Sequence, residues 1–216
     1  MTMKRGSDYQ SAGVLYAVSG VVMFLAISVA EGLYPGYSVH KNTISDLAAT
    51  TANTSALVES AGLVWGLCWL VGSYFLFRNT TTKKKGLTIL NFLPGIGVLL
   101  AIFSPENVNV VIHSVGAVVA FVPGAIVVIL SYRMMIRSPL RYFSVVLGVL
   151  SFAAIILEFG AYYSYAVQDV LGPGGTERVI VYPILAWLMI FGGYLASSGN
   201  RNGSLGAGDS PPSLKK

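Results

Sequence analysis

Charge is scarce in this chain, and that scarcity excludes more than any motif does. Only 11% of the 216 residues are Asp, Glu, Lys or Arg, where soluble domains carry roughly 25%. With 54% of residues in the hydrophobic set, there is too little polar surface to cover a globule. Disorder, which needs high charge and low hydrophobicity, is excluded by the same numbers. Cysteine is almost missing. The single Cys68 allows neither an intrachain disulfide nor a Cys-based zinc site, and it lies in an apolar run as a small packing residue. What remains is a chain whose solvent is a bilayer. Its net charge of +5 does not point to nucleic acid, because basic residues in membrane proteins gather on the cytoplasmic side.

A helix needs about 20 apolar residues to cross a hydrocarbon core of roughly 30 Å. Six stretches qualify: Tyr9–Ala30, Ser55–Phe77, Gly86–Phe103, Val110–Ser131, Tyr142–Ala166 and Val179–Ala196. The fold class is therefore all-α, a polytopic membrane protein built as a six-transmembrane-helix bundle. The third stretch is short and holds Pro94; Pro123 and Pro183 sit inside the fourth and sixth. Membrane helices tolerate such prolines at the cost of kinks. The first run is longer than the apolar core of a signal peptide and reads as a span. Beyond Ser197 the chain is rich in Gly, Ser, Pro and Lys, so residues 197–216 are expected to form a disordered cytoplasmic tail.

Twelve of the fourteen basic residues fall in the two termini and the even-numbered loops; only Lys41 and Arg178 lie in the others. That bias predicts both termini in the cytoplasm of a multi-pass cell-membrane protein. An even number of spans requires the ends to share a side, so the two readings agree. Acidic residues do the reverse. Glu31, Asp46, Glu106, Asp169 and Glu177 are in outer loops, as are both histidines or their spans' outer ends, and Glu59 and Glu158 are inside spans.

Ionisable groups within a membrane are costly and normally face a bundle interior or a cavity. Helical spacing places Glu59 with Gly62 and Gly66. It places His113 with Gly116, Ala117, Ala120 and Gly124, and Glu158 with Ser144, Gly148, Ser151, Ala154 and Ala161. Small residues mark close helix packing in lipid, so all three groups are expected to point inward. Two outer loops stand beside them. The first runs Tyr34-Pro35-Gly36-Tyr37-Ser38-Val39-His40-Lys41-Asn42-Thr43-Ile44-Ser45-Asp46-Leu47-Ala48, where Ser45 or Asp46 caps a short re-entrant helix or Asp46 serves as ligand or base. The last, Leu171-Gly172-Pro173-Gly174-Gly175-Thr176-Glu177-Arg178, reads as a Gly-rich turn with a charge pair. It lacks the Lys-Ser/Thr pattern of a phosphate loop. The candidate catalytic residues are Asp46, His113 and Glu158; the candidate ligand-binding residues are Ser45, Glu106, Glu177 and Arg178; and His113 with Asp46 are the candidate metal ligands. No cofactor is evident, and whether the chain is an enzyme stays open.

The same residues carry a resemblance. Ser38 through Ala48, centred on Asn42-Thr43-Ile44-Ser45-Asp46-Leu47-Ala48, is similar to the first-loop motif of the domain of unknown function 998 family. Those are small prokaryotic membrane proteins, many of them archaeal, with about six spans. The similarity continues at Phe103-Ser104-Pro105-Glu106 followed by His113, and at Gly174-Gly175-Thr176-Glu177-Arg178-Val179-Ile180-Val181-Tyr182-Pro183, with Trp187 and Gly192-Gly193-Tyr194-Leu195 beyond. Ala48 departs from the family's Gly, and Val58-Glu59 stands where the family often has Phe-Asn. The Ser-Asp loop and the span-four His also resemble, remotely, the damage-regulated autophagy modulator group. The resemblance implies fold and topology but no mechanism.

Three functions fit these expectations. The first is a lipid-binding or accessory scaffold protein with a polar outer-side pocket, whose partners are the lipid bilayer and other membrane proteins. The second is a membrane-embedded enzyme acting on a lipid or other amphiphile at the outer leaflet. The third is a proton-coupled small-solute transporter using Glu59 and Glu158. For the second, two histidines are one short of the three that membrane hydrolases resembling ceramidases place on zinc, and no His-x-x-x-His spacing occurs.

Overall fold

The computed structural model describes residues 2–79, 85–135, 138–161 and 169–204. Among the described residues every regular element is helical: α1 (Thr2–Leu33), α2 (Ile44–Leu47), α3 (Ser55–Asn79), α4 (Lys85–Leu90), α5 (Phe92–Ile102), α6 (Val110–Leu130), α7 (Leu140–Ala161) and α8 (Gly172–Ser204), with a 3-10 turn at Ser131–Arg133 after α6. Six helices are long and apolar enough to cross a membrane, α4 and α5 together making the third. The chain is a multi-pass membrane protein.

The helices form a closed ring in chain order. Helix α1 packs on α3, α3 on α5, α5 on α6, α6 on α7, α7 on α8, and α8 closes against α1. Short connections favour neighbours in sequence as neighbours in space, and here this holds all the way round. The sorting of residues follows helical periodicity. On α1, Val14, Val18, Val21, Leu25 and Val29 form an exposed stripe. Ala12, Tyr16, Ser19, Met23, Ala26, Ile27 and Ala30 are buried on the opposite side. An apolar exposed stripe of this size belongs against lipid tails. The ring's centre is aromatic: Trp187 stacks on Phe191 with centroids 4.8 Å apart, and Trp69 and Tyr16 lie 6.0 and 6.2 Å from Trp187.

Small residues set the closeness of the seams. A Cβ on Gly97 would lie 2.2 Å from the Ala120 nitrogen, and one on Gly116 would lie 2.6 Å from the Ala101 nitrogen, so α5 and α6 touch backbone to backbone. Gly13 and Gly192 do the same for α1 and α8. With no hydrophobic force between helices in lipid, such contact is what holds them.

Three boundaries differ from the sequence expectation. The third span breaks at Asn91, because Pro94 has no N–H for the Leu90 carbonyl; the turn leaves Asn91 2% exposed, facing α1 and α3. The sixth span begins at Gly172 rather than Val179, so the supposed Gly-rich turn is the opening of α8. Its glycines serve the neighbouring loop: Gly172 takes φ +65°, and a Cβ on Gly174 would fall 2.0 Å from the Asn42 carbonyl oxygen. Pro173 suits a first helical turn, where its missing N–H costs nothing. At the far end α8 continues to Ser204, past the expected start of the tail. The remaining tail, 205–216, lies outside the described residues, as do 162–166 of the fifth expected span.

Candidate functional site

The site is assembled at the end of the bundle where the first loop folds back as α2. This one-turn helix is held by a capping box. The Asp46 N–H donates to Thr43 Oγ1 at 3.0 Å, and the Thr43 N–H donates to Asp46 Oδ2 at 2.9 Å. Asn42 Nδ2 adds a bond to the same Oδ2 at 3.3 Å. The cap is Thr43 rather than the expected Ser45 or Asp46, and Asp46 spends its carboxylate on the turn as the third helical residue of the box. Ile44 and Leu47 are buried beneath α2 and fix it to the bundle.

Arg178 staples this loop to α8. Arg178 is 6% exposed. Its Nε and Nη2 donate to Glu31 Oε1 at 2.9 and 2.7 Å, and its Nη1 donates to the Gly174 carbonyl at 2.6 Å and the Asn42 carbonyl at 3.3 Å. Nη2 also donates to Tyr37 Oη. The Tyr37 hydroxyl passes its own proton to the Asn42 and Thr43 carbonyls at 3.2 and 3.1 Å. Burial pushes the Tyr37 phenol up to about 12, against the opposing pull of the Arg178 hydrogen bond and charge. A buried guanidinium satisfied on this many sides is a loop anchor. Arg178, a candidate ligand-binding residue from the sequence, thus has its fork directed into the protein.

Between these two fixtures Ser45 meets His113 and Glu177. Ser45 Oγ lies 2.9 Å from His113 Nε2 and 3.2 Å from Glu177 Oε1. The Ile44 N–H donates to Glu177 Oε2. His113 Nδ1 faces two carbonyl oxygens, Ala101 at 3.2 Å and Ser104 at 3.1 Å. Carbonyls only accept, so Nδ1 carries the proton. Ser45 Oγ has one hydrogen to give: with a neutral ring it goes to Nε2 as acceptor, and with a doubly protonated ring Nε2 donates to Oγ and the hydrogen goes to Glu177 Oε1. Four elements thus converge: α2 brings Ser45, α6 brings His113, α8 brings Glu177, and the C-terminal end of α5 orients the imidazole.

Below this cluster is a cavity of about 60 Å³. Ser45, His113 and Glu177 line it together with an apolar wall that includes Met23, Val58, Trp65, Val98, Ala117 and Phe121. Trp65 is 4% exposed, and its Nε1–H has no acceptor among the described residues. A buried donor without a partner is costly and asks for an explanation.

Glu158, Glu59, Glu106 and His40 are not among the residues that line the cavity. Glu158 is exposed on α7: the small-residue stripe is buried through Ser151, Ala154 and the adjoining Ile155, and cover ends before Glu158 one turn on. The expectation that all three intramembrane ionisable groups point inward fails there. Glu59 is half-buried, and Glu106 is exposed in the loop before α6. His40 is exposed, with Nε2 3.3 Å from the Asp169 carbonyl oxygen. Among the described residues no group of three or more His, Cys, Asp or Glu side chains gathers as a metal site; Asp46, proposed from sequence to share a metal with His113, is engaged in its capping box. The sequence reading did not single out the second buried polar cluster. Trp69 Nε1 donates to Asn91 Oδ1 at 3.0 Å, Asn91 Nδ2 donates to Tyr16 Oη at 2.5 Å, and Ser73 Oγ donates to the Asn91 and Trp69 carbonyls at 3.0 and 2.8 Å. The one available signal was an asparagine inside an apolar span.

A family model described as a protein of unknown function, DUF998, matches residues 17–194. No curated protein and no solved structure matches the chain.

Proposed function

The chain belongs to the DUF998 family of unknown function, and from that premise we propose that it binds part of a lipid or similar amphiphile in the cavity beneath Ser45, His113 and Glu177. The observation that carries this reading is the pairing of an apolar wall with a polar cluster and an unpaired Trp65 donor at one cavity. Ligand sites have this composition, mostly apolar with a few convergent polar groups. Size restricts what enters. A cavity of about 150 Å³ holds a benzene ring, so 60 Å³ takes a carbonyl or hydroxyl-bearing segment a few atoms long, while the remaining tails stay in the bilayer. The protein is in this reading an accessory or lipid-binding component of the cell membrane, both termini are cytoplasmic, and the Ser45 cluster opens toward the outer leaflet. The basic-residue bias supports that orientation.

Two experiments test it. Ala117 lines the cavity, and Ala117→Phe fills it. Lipid extracted from purified wild type should contain one amphiphile class near equimolar with protein, and the variant should lose it. Identical lipid profiles would overturn the binding reading. For orientation, Val108→Cys is placed in a Cys68→Ser background, Val108 being exposed in the loop between α5 and α6. A membrane-impermeant maleimide should label it in intact cells. Labelling only after lysis would invert the topology.

A further inference from the structure

The hydrogen bonding around His113 points beyond binding. A Ser hydroxyl 2.9 Å from an imidazole nitrogen is ordinary staple geometry when the ring's other nitrogen is free. Here the other nitrogen is locked against the Ala101 and Ser104 carbonyls, which fixes the tautomer and leaves Nε2 as a base aimed at Oγ. We propose that Ser45 is a nucleophile for acyl groups, with His113 as its general base, and that the substrate class is an ester- or amide-linked amphiphile whose carbonyl enters the cavity. The proposal rests on the binding reading above and names what the bound segment is.

Ser45 Oγ bonds to the carbonyl carbon as its proton moves to His113 Nε2. The resulting imidazolium keeps Nδ1–H on the two carbonyls, and the Glu177 carboxylate, across Ser45 Oγ from the ring, offsets its charge. The oxygen of the former carbonyl becomes anionic and needs a donor in dry surroundings. Trp65 Nε1–H, in the wall of the same cavity and without an acceptor among the described residues, supplies one. The bond to the leaving oxygen or nitrogen then breaks as that atom takes the proton from Nε2, which leaves Ser45 acylated. Water attacks the acyl-serine, its proton passes to Nε2, and the carboxylic acid departs as Ser45 recovers its hydrogen. The same heavy-atom positions serve the neutral and the protonated ring, since Ser45 Oγ can donate to Nε2 or accept from it while donating to Glu177 Oε1.

The test uses the full chain in lipid nanodiscs and a fluorophosphonate probe, read as the mass of a covalent adduct on Ser45. Wild type should gain one adduct on Ser45, and Ser45→Ala should gain none while its melting temperature stays within a few degrees. A general base contributes on the order of 10²–10⁴ in rate, so His113→Gln should slow labelling at least ~100-fold. Trp65→Phe should slow it as well, while leaving stability near wild type. Absence of a Ser45 adduct in protein that still carries its amphiphile would overturn the nucleophile and leave the binding reading standing. Equal labelling rates in wild type and His113→Gln would overturn the role of the base. An adduct on Ser45 alongside an unchanged lipid profile in Ala117→Phe would instead remove the binding reading.

Discussion

Trp65 and Trp69 sit on consecutive turns of α3, both buried, with their rings 6.2 Å apart. Trp69 donates to Asn91; Trp65 donates to nothing described. The same contrast separates the two polar clusters of the bundle. Around Asn91, the residues Tyr16, Ser73 and Trp69 are buried to within a few percent and bond to one another across α1, α3 and the α4–α5 break. Around Ser45, an imidazole and a carboxyl group stand beside the hydroxyl, and all three are half-buried and line a cavity. A satisfied and packed network is what stabilises a fold. A titratable network with an orphaned donor and room beside it is what a site needs before its ligand arrives. The difference separates helix glue from chemistry in a sequence where both look like isolated polar residues in apolar spans.

The largest effect that would sharpen this contrast is expected at Asn91. Asn91→Ala removes two side-chain hydrogen bonds and leaves a small void between three helices. Interhelical hydrogen bonds in bilayers are worth about 0.6 kcal/mol on average, and the void adds to that, so the loss should be roughly 2 kcal/mol. Unfolding in mixed detergent micelles measures it, and the fluorophosphonate rate per folded molecule should not change. A slowed rate at Ser45 would mean that the two clusters are one system.

Next in size is the paired substitution of the two tryptophans. Trp69→Phe orphans Asn91 Oδ1 and should cost about 1 kcal/mol. Trp65→Phe removes a donor that bonds to nothing described, and should cost less or stabilise. The ranking should reverse for amphiphile retention, where Trp65→Phe loses and Trp69→Phe does not. Equal stability losses on the two turns would show that Trp65 Nε1 has a partner.

Much of this was readable in the sequence, for definite reasons. Six apolar runs and their small-residue stripes fix the spans and the seams, because length and close approach are local properties of a helix in lipid. Ser45, His113 and Glu177 were each visible as polar groups near one end of the bundle. Their association was not, since it depends on α8 starting at Gly172, two turns before apolar character begins. A Gly-Pro-Gly-Gly opening reads as a turn until the first loop is known to lie against it, at the Asn42 carbonyl beside Gly174. Glu158 misled for the converse reason: its stripe is real, but periodicity does not say where the neighbouring helices stop covering it. Asn91 was overlooked because its partners lie on two other helices, and nothing in one span announces them.

The smallest predicted effect concerns the loop that carries Ser45. The Tyr37 phenol is raised from 10.0 to about 12 by burial, so between those values the unfolded chain has released this proton and the folded chain has not. Stability from this group is therefore complete below pH 10 and is lost as pH rises toward 12. Its size is modest, because Tyr37 is only half-buried and solvent screens part of the cost. Melting temperature followed from pH 9 to 12 should fall more steeply in wild type than in Tyr37→Phe; parallel curves would refute the assignment. Ionisation also removes the proton that Tyr37 donates to the Asn42 and Thr43 carbonyls, which frees the residues immediately before α2. Loosening should then reach the Ser45 cluster through the loop and leave the Asn91 cluster, held by α1, α3 and the broken third span, unaffected.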